Sequence, residues 1–163
     1  MTLSELEQLF LERNDSKYDR DNYDSFIKKE GFSFSIPSIH ITGTNGKGST
    51  ANYLYQIYRA KGYNVGLYNS PYLSSVLEMI FINGNRVSED EYLSVFLSLK
   101  EKFDKYSLTS FEMQTITAYE IFKKHNLDLV IIEVGMGAVC SHPAICGFST
   151  KMRQPRHLPK HPA

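Results

Sequence analysis

The chain has no tryptophan and only two cysteines, Cys140 and Cys146. That pair makes neither a disulfide framework nor a metal-ligand pattern. No apolar run approaches the roughly 20 residues a membrane helix needs. Met1 to Arg13 alternates charge and lacks the apolar core of a signal peptide, so a cytoplasmic location is the expectation, with no membrane partner. Net charge is absent as well: 18 Lys and Arg balance 18 Asp and Glu, and nothing indicates a nucleic-acid surface. What is present is ordinary, with 42% hydrophobic and 22% charged residues over 163 positions. That suits a globular chain able to bury a sizeable core.

Acidic residues are also missing locally. Ala138 to Ala163 holds no Asp or Glu but four Lys and Arg (Lys151, Arg153, Arg156, Lys160), leaving 14 basic against 18 acidic residues in the preceding segment. Four of the six prolines and three of the five histidines fall in the same stretch. It has neither helical nor strand periodicity, so residues 138–163 are expected to form an unstructured tail behind a domain of residues 1–137. Such a basic tail suits an acidic partner; an ending without function suits its irregularity equally well.

Periodicity over 1–137 predicts an α/β fold, a mainly parallel sheet flanked by helices. Ser4-x-x-Glu7 reads as a capping box for a first helix with Leu6, Leu9 and Phe10 inward. A second short helix runs from Asn22 to Lys29 and stops at Gly31. Ser38 to Thr42 is a strand. The next helix turns Ala51, Leu54, Tyr55, Ile57 and Tyr58 inward and ends at Gly62. Val65 to Tyr68 closes a βαβ unit. Met79 to Ile82 and Arg86-Val87 form a hairpin around Asn83-Gly84. Glu89 to Tyr106 and Ser110 to His125 are amphipathic helices, and Asp128 to Val134 is a buried parallel strand.

Between the first strand and the third helix stands Ile39-His40-Ile41-Thr42-Gly43-Thr44-Asn45-Gly46-Lys47-Gly48-Ser49-Thr50. Strand, glycine-rich loop, lysine, hydroxyls and helix follow in the order that builds a phosphate cradle. Glycines free backbone N–H groups, and the helix N-terminus favours an anion. Lys47 supplies a mobile cation for the β- and γ-phosphates, and Ser49 or Thr50 an oxygen for Mg²⁺. The loop departs from the general pattern G-x-x-x-x-G-K-[ST]. Ile41 stands where the first glycine belongs, and Gly48 stands where the hydroxyl belongs.

Ligands of such sheets sit at the carboxyl ends of the strands. Glu133 closes an apolar strand there, and its carboxylate suits Mg²⁺ or a magnesium-bound water. Ser70, in a Ser-Pro turn after a strand, can face the same metal. Thr109 opens a helix with Glu112 as a capping box. His40 reads as a packed core histidine, and His125 as a helix C-terminal residue suited to the dipole.

Four motifs in order resemble one family. Gly43-Thr44-Asn45-Gly46-Lys47-Gly48-Ser49, Ser70-Pro71-Tyr72-Leu73, Leu108-Thr109-x-Phe111-Glu112 and Glu133-Val134-Gly135-Met136-Gly137 are similar to folylpolyglutamate synthase/dihydrofolate synthase, the folate branch of the Mur-ligase superfamily. Gly48 between the lysine and the hydroxyl points to that branch over the peptidoglycan ligases. The resemblance covers about residues 1–137 and implies the phosphate-loop ATP-binding domain of that superfamily. It also implies ATP-dependent joining of glutamate to dihydropteroate or tetrahydrofolate through an acyl phosphate. By the match, Gly43 to Thr50 hold the phosphates of ATP, Lys47 stabilises the transfer, and Ser70 and Glu133 bind Mg²⁺. Thr109 falls in the segment near the pterin substrate.

The resemblance stops at Ala138, where the family continues Gly-Arg-Leu-Asp-Ala-Thr-Asn, and the expected reason for the change in composition there is a shifted reading frame or misassigned gene end. The expectation is a monomer with little or no ligase activity of its own and a sheet edge that limits solubility. The alternatives are an ATP-binding module without ligase activity and a P-loop kinase or GTPase. Gly48 and Glu133 argue against the last.

Overall fold

The computed structural model describes residues 1–14 and 19–134. The segment 138–163, with Gly135-Met136-Gly137 before it, lies outside the described residues. At the centre is β5, Leu129–Glu133, buried at all five positions. It runs parallel to β1 (Ser38–Ile41) on one side and to β2 (Val65–Tyr68) on the other. A strand paired on both edges and covered on both faces needs apolar side chains throughout, and Leu129-Val130-Ile131-Ile132 supplies them. Beyond β2 the sheet becomes antiparallel with β3 (Ile80–Ile82) and β4 (Asn85–Arg86), giving the order β1-β5-β2-β3-β4. Asn83 and Gly84 have φ of 50° and 99°, the left-handed pair that a tight hairpin between right-twisted strands requires.

Alternation along the strands divides the core between two faces. Leu129 and Ile131 of β5 and Val65 and Leu67 of β2 pack under α3 (Lys47–Ala60) through Ala51 and Tyr55. Val130, Ile132 and Tyr68 face a larger layer made by α1 (Leu3–Asn14), α2 (Arg20–Lys29), α4 (Glu89–Lys105) and α5 (Ser110–Lys124). α5 lies deepest in it, and each fully buried Phe or Ile there contributes roughly 1.5–3 kcal/mol by leaving water. Its approach to the sheet depends on Gly66, where a Cβ would meet the Phe122 ring at 2.8 Å.

Several local expectations are corrected. The first capping box is Thr2 with Glu5, whose side chains take each other's backbone N–H at 3.3 and 2.8 Å. Glu7 instead accepts from Val76 N at 3.0 Å, tying α1 to the loop after β2. Helix α2 begins at Arg20 because the Asp19 side chain caps Asp21 N. Ile57 is 51% exposed. It stands about 200° round the helix from Tyr55, off the stripe that reaches the sheet. Val65 to Tyr68 does follow a βα unit, but β5 lies between β1 and β2. His125 caps α5 and pairs with Glu91 at 2.8 Å. Among the described residues no helix is long and apolar enough to cross a membrane.

Candidate functional site

Ile41 is the register partner of Glu133, so β5 delivers a carboxylate beside the residue that enters the glycine-rich loop. Gly43 and Gly46 take φ of 149° and 74°, backbone conformations that side chains resist. Gly46 is also the N-cap of α3 and offers no side chain to the amides of the first turn. Those donors and the positive end of the helix are left to an anionic ligand. Lys47 is the first helical residue, with its stem beside Gly43. Thr44, Asn45 and Ser49 are exposed around it. Thr50 is exposed as well, but its hydroxyl donates to the Gly46 carbonyl at 2.8 Å.

The structure explains the unusual glycine. A Cβ on Gly48 would stand 3.2 Å from Glu133 Oε2. The bare backbone lets the buried carboxylate lie against the first turn of α3. The same oxygen accepts from Ser70 N at 3.3 Å. Loop, β5 and the end of β2 therefore meet at one carboxylate, and three widely separated sequence motifs become one site.

Ser70 is 7% exposed and Glu133 8%. Ser70 Oγ is buried with no hydrogen-bond partner, an expensive condition for a hydroxyl unless something binds it. A hydroxyl and a carboxylate beside a glycine-rich loop and a helix N-terminus are hard oxygen donors of the kind magnesium takes alongside phosphates. The residues present fit that ion. Among the described residues no group of three or more His, Cys, Asp or Glu forms a metal centre.

Thr109 is placed differently. Its hydroxyl and backbone N–H both donate to Glu112 Oε2 at 2.7 Å, and Glu112 N returns a bond to its oxygen at 3.4 Å. The expected capping box is complete. It stands at the start of α5, in the layer opposite α3. Burial raises the Glu112 carboxyl above its ordinary range. His40 is half-buried, bonded through Nε2 to Ser38 Oγ at 3.0 Å, and burial lowers its pKa and favours the neutral ring. Asn69, just before Ser70, was not singled out from the sequence; its Oδ1 is buried with no partner. An amide at the end of an apolar strand was the one available signal.

A glycine-rich loop leading from a parallel strand into a helix, with a buried acid at the neighbouring strand's end, defines an α/β domain of the phosphate-loop class. No family model matches the chain. The dihydrofolate synthase/folylpolyglutamate synthase of Buchnera aphidicola from Schizaphis graminum is 37% identical over 131 residues, 78% of this chain and 31% of that protein. A crystal structure of bifunctional folylpolyglutamate synthase/dihydrofolate synthase with Mn, AMPPNP and L-glutamate bound superposes with a TM-score of 0.76 at 32% identity, covering 84% of this chain and 34% of the other. Escherichia coli FolC in complex with DHPP and ADP gives 0.71 at 34%, covering 82% and 33%. These homologues and structure neighbours are folylpolyglutamate synthases and dihydrofolate synthases that match most of this chain, and the chain spans under a third of the length of the curated relatives it matches.

Proposed function

We propose that this chain binds ATP and Mg²⁺ as part of a ligase that joins L-glutamate to a folate-type acceptor, dihydropteroate or tetrahydrofolate. The observation that carries it is the meeting of Glu133, Gly48 and Ser70 beside the phosphate loop. The neighbours' bound AMPPNP, Mn, L-glutamate and DHPP support the same substrates here.

In the proposed reaction an acceptor carboxylate oxygen attacks the γ-phosphorus of ATP, ADP leaves, and an acyl phosphate forms. The glutamate amine then adds to the acyl carbon, loses a proton, and expels phosphate to leave an amide. Little covalent work falls to the protein; placement and charge neutralisation dominate. The amides of Gly43 to Ser49 and the start of α3 hold the phosphates. Lys47 follows the transferring group with its positive charge. Ser70 Oγ and the Glu133 carboxylate would hold Mg²⁺, which neutralises phosphate charge when bound. Thr50 contributes through the loop backbone, since its hydroxyl is engaged. Thr109 contributes to substrate only by placing the start of α5.

Residues 1–137 form the ATP-binding unit in this reading, with 138–163 outside it, in a cytoplasmic monomer that binds nucleotide without completing ligation alone. Calorimetry with AMPPNP and Mg²⁺ tests the nucleotide site: micromolar-range binding by the native chain, lost in a folded Lys47→Ala variant, is expected. A folded native chain that ignores AMPPNP sinks the proposal. ADP release that depends on acceptor and glutamate would show that the chain ligates unaided.

A further inference from the structure

Asn69 directly follows β2, and its backbone N–H donates to the Met79 carbonyl at 2.9 Å. Leu67 and Tyr68 are registered with Ile131 and Ile132, so the next step along these parallel strands sets Asn69 beside Glu133. Alternation supplies the face. Val65, Leu67, Leu129 and Ile131 all join the cluster under α3. The same period carries Asn69 and Glu133 to the α3 side, where the Glu133 carboxylate meets Gly48. Asn69 Oδ1 is buried with no hydrogen-bond partner. The unpartnered Tyr92 hydroxyl and Glu112 Oε1 belong to α4 and α5, in the other layer.

We propose that Asn69 is a positioning residue for the nucleotide-bound cation, its Oδ1 accepting a hydrogen bond from a water molecule on that ion. The inference rests on Ser70 and Glu133 being the ion's protein donors. Magnesium gives up water reluctantly and keeps several waters in its octahedron. Each of those waters is a strong donor that needs an acceptor. Asn69 Oδ1 is an acceptor with no donor, in register with the acid. Groups that orient a metal's ligands in this way typically carry about 10–100-fold in metal affinity.

The test titrates Mn²⁺ into the 163-residue chain with AMPPNP, following free Mn²⁺ by electron paramagnetic resonance, and measures AMPPNP affinity separately in EDTA. Asn69→Ala is expected to weaken Mn²⁺ binding about tenfold or more, with metal-free AMPPNP affinity unchanged. Asn69→Asp keeps an acceptor oxygen and is expected to stay within about threefold of the native chain. A folded Asn69→Ala variant that binds Mn²⁺ as tightly as the native chain, while Glu133→Gln is impaired, overturns the role of Asn69 and leaves the cation site standing. Undiminished Mn²⁺ affinity in Glu133→Gln overturns the cation site and this role with it. Should Asn69→Ala fail to melt cooperatively, Asn69→Asp decides: about tenfold weaker Mn²⁺ binding in that folded variant overturns the proposal.

Discussion

At Gly48 two local effects oppose each other. A methyl group there would stand 3.2 Å from Glu133 Oε2, tighter than ordinary van der Waals contact. Inside a helix, however, alanine is favoured over glycine by roughly 0.5–1 kcal/mol. The first effect acts on the site and the second on stability. Gly48→Ala is therefore expected to keep or slightly raise the melting temperature while weakening joint AMPPNP and Mg²⁺ binding about tenfold or more. Thermal melts beside calorimetry separate the two effects, and native-like binding would mean that the carboxylate yields the space freely. The glycine was conspicuous in the sequence as a departure from the general phosphate-loop pattern. Its reason was not legible, because Glu133 lies far along the chain and only its carboxylate explains the vacant Cβ. Ser70 was legible as a candidate from its Ser-Pro turn, and Asn69 was passed over because its meaning depends on a register.

Elements were legible where their signals are local. The Thr109–Glu112 capping box, the Asn83-Gly84 turn and the helix stop at Gly62 all depend on neighbours in sequence. The first helix shows the limit: Thr2-x-x-Glu5 and Ser4-x-x-Glu7 are equal as patterns, and Glu7 was drawn away by Val76 N on another element. Contacts between elements left little mark. Glu30, at the end of α2, accepts from Lys105 and Lys102 and from the Tyr106 hydroxyl at the end of α4, at 3.1, 3.1 and 2.9 Å. Those bonds, Lys105 first, lower its pKa from 4.5 to about 2. Because the folded value lies below the unfolded one, the contribution to stability is full above about pH 4.5 and fades as pH falls toward 2. Urea midpoints taken from pH 5 downward should fall less steeply for Glu30→Gln than for the native chain. Parallel pH profiles would mean that solvent screens this cluster to nothing.

For the whole molecule the controlling fact is that β5, last in the described chain, lies between β1 and β2. Its amides are flanked by strands on both sides, while among the described residues β1 pairs only with β5. Native-state hydrogen exchange should accordingly be slowest in Leu129–Glu133 and faster in Ser38–Ile41; the reverse ranking would contradict this strand order. The β1 edge, unpaired away from β5 among the described residues, is also where the expected limit on solubility would arise. The amino-acid sequence alone determined the glycine-rich loop between strand and helix, the types of most helices and strands and the family resemblance, because periodicity, capping and glycine placement act within a few residues. Only the tertiary structure decided that β5 inserts beside the loop, that Glu133 rests on Gly48 and Ser70, and that Thr109 stands in the layer opposite α3. Strand order and register join residues as far apart as Ile41 and Glu133, and no local pattern encodes a contact of that span.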